Sequence, residues 1–277
     1  MMNSSWDSKI IGMTVKEVLA IANHQRAEAH DILEKCYAVY KNCVAGHPNM
    51  DPFVKGAIRG VIWELEQSHG HNHLYFSAAG QDRYIHEQFF KNKLGGTFIE
   101  IGGYNGWRGS NCYFFEKTLK WHGAIAEASP SMIEEIKKCR DTRIVHAAIT
   151  DTNGFAEFVE VVSGLTQMSG LKTHLNEPRL KDIRSHTNHH EKIISIPTMT
   201  LATLLDSMQL KHVDYCSIDV EGAERSILSG FDFSAYDINV FSVETASRTQ
   251  SVRDILLPVG YELVDVIGID EIYFKNS

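Results

Sequence analysis

Acidic residues follow several apolar runs of this 277-residue sequence, at the points where those runs stop. Glu100 follows TFI, Glu127 follows GAIA, Asp219 and Glu221 lie in IDVEGAE, and Glu244 ends FSVE. If the runs are parallel strands of one sheet, their carboxyl ends meet at one edge, where open α/β sheets bind ligands. Carboxylates there can accept ribose hydroxyls, take up a proton or coordinate a cation. Each acid taken singly can also be a helix cap or a solvated loop residue, so the prediction rests on their joint placement.

The stretch GGTFIEIGGYNGWRGSN joins a predicted buried strand to a glycine-rich turn, and Ser110 stands as a helix cap before the apolar run YFF. This order aims backbone N–H groups and a helix N-terminus at a polar ligand. Glu127 follows the turn by roughly 20 residues, the spacing of a ribose-binding acid. Taken alone, such a turn is more often structural than ligand-binding. Together with Glu127 and the Asp219 cluster it favours a nucleoside ligand.

The elements that would position these residues alternate between short strands and helices after Tyr84, which predicts a mostly parallel sheet covered on both faces. The last two strands are joined only by IGID, too short for a crossover, so we expect an antiparallel pair. The predicted fold is α/β and Rossmann-like, with a mostly parallel seven-stranded sheet that ends in an antiparallel hairpin. The expected strands are 97–101, 123–126, 142–147, 213–218, 238–243, 261–266 and 271–274.

Two segments lie outside this sheet. Residues 1–75 carry amphipathic helical patterns over about 14–44 and 53–66, which predicts a helical appendage that acts as a lid or a homodimer contact, ahead of a catalytic domain at 76–277. The polar stretch 163–192 is long for a loop, and such segments are lids, binding loops or disordered insertions. Ser131 and Glu134 have the spacing of a capping box, which predicts a helix start at Ser131.

Composition excludes several classes of protein. The formal charge of −8 argues against a general nucleic-acid binder. Five scattered cysteines without a CxxC pair are typical of reduced thiols in a cytoplasmic protein. The sequence contains no apolar stretch that would span a bilayer and no signal-peptide pattern at MMNSSWDSK. We therefore expect a cytoplasmic protein that binds neither nucleic acid nor membrane.

Several motifs, in order along about residues 77–275, make the chain resemble the FkbM-type S-adenosylmethionine-dependent methyltransferases. They are GQDRYIHEQFF, GGTFIEIGGYNGWRGSNCYFFEKTLKWHGAIAEASPSM, VHAAITDTNGFAEF, TMTLATLLD, VDYCSIDVEGAERSIL and FSVE. The resemblance implies a class I methyltransferase fold, which also ends in an antiparallel hairpin. It further implies S-adenosyl-L-methionine as the cofactor and O-methylation of hydroxyls on sugars, glycans or secondary metabolites.

Carried over by position, the resemblance assigns the cofactor turn, the ribose acid, the adenosine border and two residues that close over the cofactor. The chain departs from the family at Asn105, where an acid is common, and at Ala128, where proline is. The loss of charge at Asn105 would weaken cofactor binding or shift its pose. The predicted cofactor residues are Gln81, Asp82, Glu100, Gly102, Tyr104, Asn105, Gly106, Asn111, Glu127, Ala128, Ser129, Ala148, Ile149 and Asp219.

A hydroxyl is a poor nucleophile at neutral pH, so a general base or a metal must assist its methylation. The predicted catalytic residues are Asp219, Glu221 and His146, although His146 has the alternative of a hydrogen-bonded core residue. Asp219 and Glu244 end strands predicted to be adjacent and can share a divalent cation such as Mg²⁺.

Acceptor contacts are predicted for His71, His73 and Trp107, with the alternative that Trp107 packs a helix on the sheet. His71 and His73 are further candidates for the base. The histidines of 69–73 and 186–190 lack accompanying cysteines, so solvated loops are favoured over zinc there.

Two other functions remain open at this level. One is a methyltransferase-like binding or regulatory module without catalysis, which Asn105 favours. The other is a nicotinamide oxidoreductase, against which the antiparallel terminal pair and the IDVEGAE cluster count. The identity of the acceptor is not encoded in any motif of the sequence.

Overall fold

The computed structural model describes residues 15–47, 49–68, 70, 74–175, 177–245 and 251–275. Nine α-helices lie in this part of the chain: α1 (Val15–Gly46), α2 (Pro52–Ser68), α3 (Gln81–Gln88), α4 (Tyr113–Lys117), α5 (Pro130–Cys139), α6 (Glu177–Ser185), α7 (Leu201–Ser207), α8 (Glu224–Ser229) and α9 (Arg253–Leu256). The strands are β1 (Thr97–Ile101), β2 (His122–Glu127), β3 (Arg143–His146), β4 (Ala148–Thr150), β5 (Gly154–Ser163), β6 (Gly170–Leu171), β7 (His190–Thr200), β8 (His212–Ile218), β9 (Asp237–Glu244), β10 (Glu262–Ile267) and β11 (Asp270–Phe274).

A seven-stranded sheet in the order β10-β11-β9-β8-β1-β2-β3 forms the centre of this mixed α/β fold. The pairs from β9 through β3 are parallel, whereas β11 is antiparallel to both β9 and β10. Its central strands are apolar and buried along most of their length because helices cover both faces. The strand order reverses at β1, so the carboxyl ends of β1, β2 and β8 border the crevice where such sheets bind ligands.

A second sheet, in the order β4-β7-β5-β6, was not expected from the sequence. β5 and β7 pair antiparallel over Gly154–Thr198 to Ser163–His190, and β4 joins β7 in parallel. The description of 163–192 as a loop is therefore wrong for much of its length. It contains a 3₁₀ turn at Thr166–Met168, strand β6, helix α6 and the start of β7.

The N-terminal helix α2 packs on the β10–β11 hairpin. Gly56 permits this approach, since a Cβ there would lie 2.5 Å from the carbonyl oxygen of Gly268. Lys55 and Arg59 both pair with the partly buried Asp265 on β10. Before α2, the chain forms the continuous helix α1, where the sequence allowed one helix or two. None of the helices in the described ranges combines the length and apolar composition that crossing a bilayer requires.

Helix α5 begins differently from the predicted capping box. Its N-cap is Ser129 and Pro130 occupies the first turn, so the expected start at Ser131 is wrong. The Ser129 hydroxyl makes no cap bond; it donates to Glu160 on β5 at 2.7 Å, which ties the two sheets together. The Ser129 hydroxyl therefore bonds to Glu160, a residue distant in sequence, instead of capping its own helix.

Candidate active site

The glycine turn after β1 lies against the end of β8. Gly102 has φ +85°, and a Cβ there would lie 1.6 Å from the carbonyl oxygen of Asp219, so only glycine fits. The Asp219 N–H donates to Ile101 at 2.9 Å, and the Gly102 N–H donates to Ala126 at the same distance. These bonds extend the sheet by one residue and bring the ends of β1, β2 and β8 together.

Glu127, at the end of β2, is held by two backbone N–H groups. Tyr104 donates to Oε2 at 2.8 Å and Ser129 donates to Oε1 at 2.7 Å. Burial raises the pKa of Glu127 to about 7, although the two N–H bonds oppose this shift. The carboxyl group lies on the wall of a cavity with a volume of about 480 Å³. Its unused lone pairs are available there to a hydroxyl donor.

The cavity has an apolar side and a polar side. Its volume falls in the range of about 300–1,000 Å³ of small-ligand pockets. The apolar side suits a flat aromatic ring and is formed by Met132, Ala147, Ala148, Ile149, Phe158 and Leu171. The polar side, beyond Glu127 and Ser129, is formed by Gly102, Tyr104, Arg108, Ser110, Asp219, Glu221 and Glu244.

The second sheet contributes one wall of the same cavity. Residues 166–169 line it, and the Tyr104 hydroxyl hydrogen-bonds to the Thr166 hydroxyl at 2.9 Å. This contact joins the glycine turn to the 3₁₀ turn that follows β5. The expectation that part of 163–192 borders a ligand site therefore agrees with the geometry, although the segment is structured.

Three carboxylates converge on the polar side. One oxygen each of Asp219, Glu221 and Glu244 lies within 4.8 Å of the others. Glu221 pairs with Arg179 of α6. The pKa of Asp219 is raised well above its usual range, first by loss of hydration and then by the negative charges of Glu244 and Asp270. Although Asp219 is exposed by surface area, that exposure is to the cavities, so its hydration is restricted.

A smaller cavity of about 290 Å³ adjoins the first, and Ala78, Gly109, Asp219 and Glu244 line both. Two predicted cofactor residues, Gln81 and Asn111, lie on this smaller cavity. The Asn111 amide donates to Ser217 at 2.9 Å and to Asp270 at 3.4 Å. These residues therefore border a neighbouring site.

Four predicted residues near the turn line neither cavity. Glu100 is buried and accepts bonds from Arg140 at 2.7 Å and from the Ser110 hydroxyl at 2.6 Å. Asp82 is fully buried and accepts the N–H groups of residues 76 and 77. Asn105 accepts the N–H groups of residues 107 and 108, and Gly106 packs against α5. Their contacts shape the backbone around the site.

The predicted aromatic and histidine contacts also fall outside the cavities. The Trp107 side chain is 48% exposed, so it neither lines a cavity nor packs a helix on the sheet. His146 is exposed at the end of β3, so its interpretation as a core residue is wrong and it lies off the cavity walls. His71 and His73 lie outside the described residues.

Several lining residues were missed by the sequence analysis. Phe158 and the 166–171 segment come from the second sheet, whose strands were not recognised. Asp270 directly precedes the predicted strand 271–274, and its position opposite Glu244 follows only from the observed pairing of β11 with β9. Arg140 has no motif of its own, although its guanidinium binds Glu100, Glu116 and the carbonyl of Gly106.

Comparison with known proteins gives two matches. The family model described as the methyltransferase FkbM domain matches residues 100–263, more than half of the chain. The chain is also similar to the crystal structure of methyltransferase FkbM from Methylobacillus flagellatus KT, with 12% identity and a TM-score of 0.40. That match covers 84% of this chain and 60% of the other, so this chain spans less than two thirds of its length. The comparison with curated proteins finds no match.

Proposed function

The chain belongs to the FkbM methyltransferase family, and from that premise we propose that it transfers a methyl group from S-adenosylmethionine to a hydroxyl oxygen of a sugar, glycan or secondary metabolite. The observation that carries the proposal is Glu127, a carboxylate fixed by two backbone N–H groups on the wall of the larger cavity. The fold would then be the Rossmann-like class I methyltransferase fold, with the catalytic domain at 76–277.

The larger cavity fits the cofactor in shape and chemistry. Glu127 would accept the ribose hydroxyls, and the apolar side around Ala148 and Ile149 would take the adenine ring. Asp219 and Glu221 would attract the ammonium group of the methionine end. When bound there, the cofactor would supply a sulfonium methyl group, whose bond to sulfur breaks as the acceptor oxygen bonds to the methyl carbon, with S-adenosylhomocysteine as the leaving group.

Asp219 is the residue that we propose as proton acceptor. Its carboxyl group is open to both cavities, so it reaches a hydroxyl on one side and the cofactor site on the other. Its raised pKa makes it a stronger base than an ordinary aspartate. As the new C–O bond forms, the hydroxyl proton passes to Asp219 or to its neighbour Glu244.

A divalent cation such as Mg²⁺ is a further part of this proposal. Asp219, Glu221 and Glu244 offer three oxygens close enough to share one ion, and hard cations prefer such ligands. Turnover measured with and without a chelator distinguishes a metal-assisted reaction from one that uses Asp219 as the base alone.

The non-catalytic alternative depends on Asn105. Because Asn105 lies off both cavities and caps the turn through its side-chain oxygen, its neutral amide removes no charge from the cofactor site. This geometry favours an active enzyme over a binding or regulatory module.

The test is isothermal titration of the protein with S-adenosylmethionine and S-adenosylhomocysteine, with and without a chelator. We expect both to bind, and Glu127→Gln to weaken them, while Glu262→Gln on the exposed side of β10 leaves binding unchanged. Absence of binding at millimolar ligand would reject the proposal, and bound NAD detected by its absorbance would replace it with the oxidoreductase.

A further inference from the structure

The smaller cavity lies where an acceptor would meet the proposed cofactor. It shares Asp219 and Glu244 with the larger cavity. Its remaining walls come from four places: helix α2, the start of α3 with the segment before it, the loop between β1 and α4, and the turn between β10 and β11 with the first residue of β11. A group bound there can therefore contact Asp219, the proposed proton acceptor.

The charges around the smaller cavity all have one sign. Four acids line it, namely Glu64, Asp219, Glu244 and Asp270. Within the described ranges, its lining includes no lysine, arginine or histidine; Arg108 lines the larger cavity. In the metal-free protein, a carboxylate or phosphate bound there would meet like charges with no cationic side chain in the lining to offset them, whereas hydroxyl and ammonium groups would find acceptors.

The buried acid Asp270 is oriented by two amides. Asn111, only 6% exposed, donates to Asp270, and Gln81 also hydrogen-bonds to it. Asp270 lies opposite Glu244 in the pairing of β11 with β9, so two acidic residues are neighbours there. The carboxyl group is thus fixed in direction and already carries an electrostatic penalty, which a further anion would increase and a hydroxyl donor would reduce.

The wall that helix α2 contributes to this cavity is already fixed in the free protein. The glycine contact between Gly56 and the hairpin turn and the pairing of Arg59 with Asp265 fix α2 in place. Gly60 faces the turn, and a Cβ there would make only ordinary van der Waals contacts, 3.7 Å from Gly268 and 3.9 Å from Ala79. A larger side chain at Gly60 would therefore reduce the cavity without disturbing the contact at Gly56.

We infer that the smaller cavity is the acceptor site, with α2 as one wall, and that it accepts neutral or amine-bearing hydroxylated groups and rejects carboxylates and phosphates. This inference rests on the proposed function and narrows its substrate class. It assigns residues 52–68 to the acceptor site as part of its wall.

The experiment uses three probes of one shape: methyl α-glucoside, glucosamine and glucuronate. Their affinities for the protein loaded with S-adenosylhomocysteine are measured by ligand-observed NMR titration. We expect glucuronate to bind about tenfold or more weakly than the other two, since one like-charge contact produces about that factor. The difference should narrow in Glu64→Gln and in Asp270→Asn, and persist in the control Glu262→Gln.

The possible outcomes distinguish a failure of this inference from a failure of the proposed function. Failure of S-adenosylhomocysteine to bind rejects the proposed function. Normal binding with glucuronate equal to or tighter than the others, or with none of the three probes bound, overturns the inference alone. Gly60→Leu should abolish probe binding and keep cofactor affinity. If that variant does not fold, the exposed Glu64→Gln still tests the inference, because an unchanged difference between glucuronate and the other probes would overturn it.

Discussion

Two groups of acids lie on either side of β1 and differ in their partners. Glu100 and Glu116 are both buried and share Arg140, which reaches them at 2.7 and 2.5 Å. Asp219 and Glu244, at the ends of β8 and β9, have no lysine or arginine partner among the residues that the structure describes. Burial opposes the charge of Arg140, but its two carboxylates outweigh this effect and raise its pKa.

The difference separates structural acids from acids available to a ligand. In the first group, Glu100 and Glu116 are both paired with Arg140, so these acids stabilise the fold and need no ligand as a partner. Arg140 also donates to the carbonyl oxygen of Gly106 and so supports the turn. The Asp219 group has negative charges that repel one another, which costs stability in the free protein. Such a cost is typical of sites that bind a cation, a proton or a donor group.

The largest effect should come from removing the cation of the paired group. Arg140→Met leaves two carboxylates buried without a partner, which is expected to cost about 3–5 kcal/mol of the free energy of unfolding. Urea denaturation measures it. Lys137→Met on exposed α5 is the matched control, and a cost below that of this control would show that the two groups do not differ as described.

Glu127 lies between the two groups, because only N–H donors hold it. Glu127→Gln turns an amide nitrogen toward one of those donors, and the loss of that acceptor costs about 1–3 kcal/mol. We expect cofactor affinity to fall by about 10- to 100-fold in calorimetry. Unchanged affinity would remove Glu127 from the cofactor site and leave it a structural acid.

Removing one charge from the unpaired group should have the opposite sign. Glu244→Gln ends the repulsion with Asp219 and supplies an amide donor, so the free protein should gain about 1–2 kcal/mol at neutral pH. Thermal unfolding at constant salt measures this gain, with exposed Glu262→Gln as the control. A loss of stability would mean that Glu244 already has a favourable partner.

The smallest effect concerns pH. Burial and the charge of Glu244 raise the pKa of Asp270 to about 7 in the folded protein, above the value of about 3.9 in an unfolded chain. The contribution of this group is therefore full below the lower value and is lost as pH rises through the higher one. Through this group the native protein should lose about 1 kcal/mol of its free energy of unfolding between about pH 6 and pH 7.5, and Asp270→Asn should lack that loss.

Unfolding free energies at the two pH values check this prediction. Asp182→Asn, a neutralised aspartate on the exposed face of α6, is the control and should leave the pH dependence as it is. An equal slope in Asp270→Asn and the native protein would contradict the buried, charge-coupled environment described for Asp270.

The large sheet was predictable from the sequence because its strands are continuous apolar runs bounded by turns. β1 matches its predicted range, β8 begins one residue earlier than predicted, and β9 is one residue longer at each end. The second sheet was not predictable in this way. β7 is half exposed and contains Pro197, and its partner β5 lies about thirty residues away, so neither a local pattern nor a turn indicates the pairing.

The candidate site was predictable only in part, for a geometric reason. Glu127, Ala148 and Asp219 follow strand ends and lie on the cavity wall. Glu100 lies one residue earlier in β1, where side chains alternate between faces, so it points to Arg140 while Ile101 lines the cavity. The motifs therefore predicted which strand ends border the site, whereas packing determines which side chains face the cavity.

The backbone contact between Gly102 and Asp219 has a thermodynamic consequence. With no side chain between them, the turn that would hold the cofactor and the strand end that would face the acceptor cannot shift independently. If one ligand orders the backbone at this contact, the second ligand binds to a backbone that is already ordered. Linkage requires that such a benefit be mutual, so each ligand should raise the affinity for the other by the same factor.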